Sequence, residues 1–326
     1  MCLVTMTFLK LVSYHMVNFW CRQQKTSRKN HKRCISLEGE TTPVMPANGI
    51  CADGPRRNAL VYPDNLRIDN VYFFMVAPTL CYELNFPRSS AIRKTFLFRR
   101  FLESLLLLLL ILALVEQLMM PVVQPTAEPA EMAGSCPAEL SVSVGREERR
   151  IPTALEQFLK AAVINIFIWL VIFYWFFHST LNMTAEVLRF ADREFYRDWW
   201  NAETVQYFWQ NWNVPVYHWC LRHLYRPLLG TGMSRFNASC FVFLVSAFFH
   251  EFVLSVPLRM FRAWAFTGML LQIPWTFLID KCLCNWFPRL AGMAVWTAFI
   301  GTLALSNIPY YREYYLVLAG TIAQSP

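Results

Sequence analysis

The sequence has 326 residues, 56% of them hydrophobic and 16% charged, with a mean hydropathy of +0.30. Soluble domains average about 45–50% apolar and about 25% charged residues, so the excess here excludes an ordinary water-soluble domain and indicates a polytopic membrane protein. The net charge of +8 lies in short basic runs beside apolar blocks, the positive-inside pattern, with no nucleic-acid signature around it.

Residues 1–20 are apolar but interrupted by Lys10, His15 and Asn18. They predict a membrane-associated helix, the end of a span in a chain short at its N-terminus, rather than a cleavable signal peptide. Residues 21–34 carry six Lys/Arg and no acid, which places them in the cytosol. Residues 35–70, rich in Pro, Gly, Asn and Asp, read as a loop. Val71–Thr79 is too short to span and ends in Pro78, which points to an interfacial or re-entrant piece. Residues 1–70 thus form an N-terminal unit, and 71–326 the main body.

A second basic cluster, Arg88 to Arg100, precedes the first clear span near 101–120. The Pro/Glu/Ser segment 121–152 alternates to the lumen, and a span near 158–177 returns the chain to the cytosol. Residues 178–235 hold five of the twelve Trp residues among many charges, the mixture of amphipathic or re-entrant helices. Three apolar runs, near 239–258, 263–279 and 290–309, predict the last spans.

The ten cysteines are scattered, with no CxxC pair, so neither a zinc site nor a disulfide framework is indicated. Cys282 and Cys284 are too close for a zinc knuckle. His218 and His223, five apart, do not share the helix face that a metal pair needs. No nucleophile elbow, phosphate loop or dinucleotide glycine motif occurs. What stands out is His250-Glu251 in the middle of an apolar run long enough to cross a bilayer. A charged residue at that depth costs roughly 2.5–3.5 kcal/mol on insertion scales, so the pair marks a site or a helix–helix hydrogen bond. A neutral imidazole there has the chemistry of a general base for an alcohol. Asn213 and Gln272 are read by themselves as interhelical hydrogen-bonding groups. Intramembrane His/Glu pairs also occur in transporters, but no internal repeat supports that reading.

The strings APTLCYELNFPR (77–88), FYRDWWN (195–201), YFWQNWNVPV (207–216) and SAFFHEF (246–252) together resemble the membrane-bound O-acyltransferase family, in particular its diacylglycerol-acylating branch. The likeness is close over about 60–280 and returns at Phe8–Arg22. It implies an all-α helical core around a reaction chamber inside the endoplasmic-reticulum membrane. It implies transfer of an acyl group from acyl-CoA to diacylglycerol, with acyl-CoA as a substrate and no separate cofactor or metal. His250 would be the catalytic base and Asn213 the second signature residue. Glu251 and Gln272 would lie near the chamber, and Ser246 near the pantetheine end. Tyr196, Trp199, Trp200 and Asn201 of FYRDWWN would bind acyl-CoA at the cytosolic mouth, and Arg226 would face its phosphates. Self-association is a further implication; sterol, retinol and long-chain alcohol are the alternative acceptors. Three departures accompany the likeness: the short N-terminus, an insertion at about 131–150, and Thr302 where relatives carry Gln. They leave open a catalytically incomplete, truncated paralogue that keeps the fold.

Overall fold

The structure, a computed structural model, describes residues 1–35, 60–123, 143–279, 283 and 287–323. Most of the predicted loop (36–59), the front of the predicted insertion (131–142), and Cys282 and Cys284 lie outside the described residues.

Every regular element described is helical. A lone antiparallel bridge joins Arg88 to Phe190. Helix α1 is Cys2–Ile35 and α2 is Ile68–Val76. Helix α3, Lys94–Leu114, runs through a π-helical turn, Val115–Met119, into the short α4, Met120–Val123. Helix α5, Ser143–Phe173, continues through a second π-helical stretch, Tyr174–Thr180, into α6, Leu181–Val187. Short helices follow: α7 (Val205–Trp212), α8 (Val214–Cys220), a π-helical turn (Leu221–Tyr225) and α9 (Arg226–Gly230). The chain closes with α10 (Arg235–Leu258), α11 (Trp264–Leu278) and α12 (Pro288–Ala323).

Five stretches are long and apolar enough to cross a bilayer: Cys2–Ser27, Lys94–Val122, Leu155–Val187, Arg235–Leu258 and Leu290–Tyr314. The described length of α11 is 15 residues. At 1.5 Å per residue that is about 22 Å, short of the ~30 Å hydrocarbon core. It packs between α10 and α12, and α12 packs in turn on α5.

Of the polar residues that interrupt α1, Lys10 and Asn18 have a structural use, while His15 is exposed. Lys10, Ser13 and Asn18 lie on one side of the helix and reach the 65–82 segment. The Lys10 ammonium donates to the carbonyls of Phe74 (3.0 Å), Met75 (2.8 Å) and Ala77 (2.6 Å), the open C-terminal end of α2. A cation there satisfies orphan carbonyls and meets the negative end of the helix dipole. Asn65 donates to Asn18 at 2.7 Å, and Ser13 accepts from the backbone N–H of Tyr82 at 2.8 Å.

On the other side, Glu186 is fully buried and ion-paired to Arg93 (2.9 Å) and Arg193 (2.7 Å). It also accepts the N–H of Arg93 at 2.6 Å, so one carboxylate ties the start of α3 to the end of α6 and the strand-like segment after it. The main core is aromatic: Phe173, Phe177, Phe190, Phe195, Trp199 and Phe208 pack together, with Trp169, Trp212, Trp296 and Phe299 against them.

Candidate active site

The environment of His250 is set by the local geometry of α10. Ser234 caps the helix, accepting from Asn237 N–H at 3.2 Å, and Arg259 in the left-handed conformation ends it. Between them the run is unbroken, so His250 lies one turn after Ser246 and its ring folds back toward it. The His250 Nδ1–H donates to the Ser246 carbonyl oxygen at 2.8 Å. The Ser246 hydroxyl is farther, at 3.4 Å. With Nδ1 carrying the proton, Nε2 keeps its lone pair. His250 is an exposed residue of the bare chain, and it lines a cavity of about 180 Å³.

That cavity is walled by Trp169 of α5, Trp209 and Trp212 of α7, Met269 and Gln272 of α11, and Trp296, Phe299 and Thr302 of α12. It is an apolar slot with a few polar groups, the usual make-up of a small-molecule site. Gln272 is almost wholly buried. Its Nε2 donates to Thr302 Oγ1 at 3.0 Å, while its carbonyl oxygen has no partner among the described residues. Thr302 therefore holds the amide of Gln272 in place.

Glu251, one residue on, points away from this cavity. Its carboxylate accepts from the hydroxyls of Ser255 and Tyr310 in very short hydrogen bonds, from Ala263 N–H at 3.0 Å and from Phe266 N–H at 3.1 Å. Four donors occupy it. They come from α10, from the first turn of α11 and from α12, so the group caps α11 and clasps three helices. Ser255, four residues after Glu251, is a partner that helix periodicity makes legible. Tyr310, 59 residues away, gives no such signal.

Asn213 sits at the junction of α7 and α8. Its side chain accepts from Val216 N–H at 3.2 Å, capping α8 with Pro215 in the first turn. It does not line the cavity of His250, although its neighbour Trp212 does. The FYRDWWN residues separate into inner and outer positions. Trp199 is buried against Trp169, Phe173, Phe208 and Trp212. Tyr196 shares a 2.8 Å hydrogen bond with His178. Trp200 is 53% exposed and Asn201 is exposed. Burial raises the Tyr196 phenol, while Tyr207 donating to Asp198 at 2.8 Å lowers that carboxyl. Arg226 is exposed at the start of α9, outside the cavity. Among the described residues no cluster of His, Cys, Asp or Glu has the arrangement of a metal site. Two further polar residues of α12 at the cavity, Ser306 and Asn307, carry the same intramembrane signal as Gln272 and were not singled out from the sequence.

The sequence profile of the membrane-bound O-acyltransferase family matches residues 147–304. Diacylglycerol O-acyltransferase 1 of Bos taurus is 45% identical over 313 residues, 96% of this chain and 58% of the relative. The Homo sapiens protein of that name is 44% identical over 313 residues, 96% and 57% of the two chains. Diacylglycerol O-acyltransferase 1C of Glycine max is 36% identical over 318 residues, 96% and 54%. The chain thus spans little more than half the length of these curated relatives. An all-helical body, five helices able to cross a bilayer and a histidine-lined cavity within it agree with the match over the C-terminal half: the chain belongs to the membrane-bound O-acyltransferase family.

Proposed function

We propose that this chain transfers a fatty acyl group from acyl-CoA to the free hydroxyl of diacylglycerol, forming triacylglycerol in the endoplasmic-reticulum membrane, with His250 as the general base. The observation that carries the reading is the state of His250. Its Nδ1–H is committed to the Ser246 carbonyl, which leaves the lone pair on Nε2, and the residue lines a cavity of about 180 Å³. The names of the relatives, diacylglycerol O-acyltransferases, supply the acceptor.

In this reaction Nε2 takes the proton of the acceptor hydroxyl as its oxygen attacks the thioester carbonyl. The C–O bond forms, the C–S bond breaks, and the imidazolium returns its proton to the departing CoA thiolate. No further cofactor is called for. Gln272, with a free carbonyl oxygen and an amide fixed by Thr302, orients polar groups of the substrates. The aromatic wall keeps water from competing for the thioester. Asn213 positions Trp212 by fixing the turn between α7 and α8, and Tyr196, Trp199, Trp200, Asn201 and Arg226 serve acyl-CoA entry. Self-association of the chain belongs to the same proposal and is read by cross-linking in intact membranes.

The test uses the whole chain in microsomes that lack the activity, supplied with labelled acyl-CoA and diacylglycerol. Labelled triacylglycerol is the expected product. His250→Ala should lower its rate by about 10²–10⁴-fold, the usual worth of a general base. No product from the intact chain would overturn the activity, and an unchanged rate in H250A would overturn the base. Preferred labelling of a competing sterol, retinol or long-chain alcohol would overturn the acceptor.

A further inference from the structure

Apart from the histidine cavity, the molecule carries a groove of about 530 Å³ between the start of α3 and α6. From α3 it is lined by Lys94, Leu97, Phe98 and Phe101, and from α6 by Thr184 and Val187 among others. The α3 residues follow the i, i+3, i+4, i+7 pattern, a single helix face. Thr184 spends its hydroxyl on the Thr180 carbonyl at 2.9 Å, so the wall offers little but hydrocarbon. Phe98, Phe101 and Val187 are more than half exposed along it.

One end differs. Lys94 opens both α3 and its membrane-crossing stretch, and Arg93 and Arg99 flank it. The nearby carboxylates are already taken. Glu186 pairs with Arg93 and Arg193, and Glu103 with Arg100 at 2.6 Å. Lys94 and Arg99 have no ion-pair partner among the described residues. Phe101 lies seven residues further on, about 10 Å deeper at 1.5 Å per residue. The groove therefore has an uncompensated cation at headgroup depth and an apolar wall at hydrocarbon depth.

We propose that this groove is a binding site for one anionic phospholipid of the surrounding bilayer, its phosphate on Lys94 and one acyl chain along α3 and α6 past Phe101. A zwitterionic lipid of the same chains presents its own ammonium to that cation, and a water-soluble anion gains nothing from the wall. The charge and the wall together select an anionic amphiphile. The site lies apart from the cavity of His250 and shares no lining residue with it.

The experiment is native mass spectrometry of the whole chain in detergent micelles, titrated with phosphatidylglycerol or phosphatidylcholine of identical acyl chains. One phosphatidylglycerol should be retained in preference. Lys94→Glu should remove the preference by at least about fivefold, the worth of one cation at an anionic lipid surface. Lys94→Arg should keep it. Val187→Trp should fill the groove and lower retention of both lipids, and its melting temperature identifies a variant that has failed to fold. Equal retention of the two lipids by the unaltered chain overturns the proposal, and so does undiminished preference in K94E.

Discussion

At the residue scale, His250 and Glu251 are adjacent in sequence and opposite in use. A step of one residue turns a helix by about 100°, so neighbours face different partners. His250 faces the cavity with one nitrogen tethered, and Glu251 faces the helix junction with four donors on it. Two consequences separate them. Ser246→Ala removes only a hydroxyl 3.4 Å from Nδ1 and leaves the carbonyl that sets the tautomer. Acyl-transfer rates should therefore change by less than about threefold, since a contact at the limit of hydrogen-bond geometry is worth a fraction of a kcal/mol. Glu251→Ala removes the shared acceptor of the Tyr310 and Ser255 hydroxyls, which keep only each other at 3.1 Å, and of two backbone N–H groups. Each unsatisfied buried donor costs about 1–3 kcal/mol, so the melting temperature of E251A should fall steeply whatever happens to turnover. A melting curve equal to that of the unaltered chain would show that the clasp does not form.

At the element scale, the helices that frame the cavity approach at small residues. A Cβ on Gly268 of α11 would lie 2.3 Å from Ser306 Oγ and 3.1 Å from Thr302 Cγ2 on α12. Gly268→Ala should therefore push α12 outward and strain the Gln272–Thr302 bond one turn away, destabilising by about 1–3 kcal/mol as overpacking does. Adding Ser306→Ala removes the offending oxygen, since the Ser306 Cβ itself stands at 3.7 Å, and the double variant should recover most of the loss. Thermal melting of the unaltered chain and the two variants checks this, and a double variant no better than G268A would exclude the contact. This close approach was half legible. A glycine within an apolar run points to tight packing, but nothing in the sequence names residues 302 and 306 as the neighbours. The same holds for the π-helical stretch Tyr174–Thr180. Helix periodicity finds the apolar run around it, while the extra backbone step that aims His178 at Tyr196 has no composition signal. Asn213 is the opposite case. In the sequence it reads as an interhelical hydrogen-bonding group, whereas its side chain caps α8 by accepting from Val216 N–H, and the resemblance implies a role beyond that use.

At the scale of the whole molecule, apolar run length made the membrane body readable, because a bilayer imposes one length on every span. The polar pins between distant segments were not readable, because each needs a partner fixed only by folding. Lys10, His15 and Asn18 looked like interruptions, yet Lys10 and Asn18 face a segment more than forty residues away. One of the longest of these pins among the described residues joins residue 13 to residue 223. Ser13 Oγ, already accepting from Tyr82 N–H, stands 2.8 Å from His223 Nε2, and Trp20 stacks on the same imidazole at 5.6 Å. Burial, with Arg222 beside it, pulls the His223 imidazole down to about 4, so it is neutral in the folded protein near pH 7. An unfolded histidine titrates near 6.5, so between those values the unfolded chain binds the extra proton. Stability must then rise with pH across that window and be lost as pH falls from about 6.5 to about 4, by up to about 3 kcal/mol. His223→Gln keeps a hydrogen-bonding group beside Ser13 but cannot titrate. Melting curves in detergent from pH 7.5 to 4.5 should show the unaltered chain ahead at the upper end and its lead shrinking or reversing toward the lower. A lead that stays constant with pH would mean that His223 does not control the docking of α1 on the helical body.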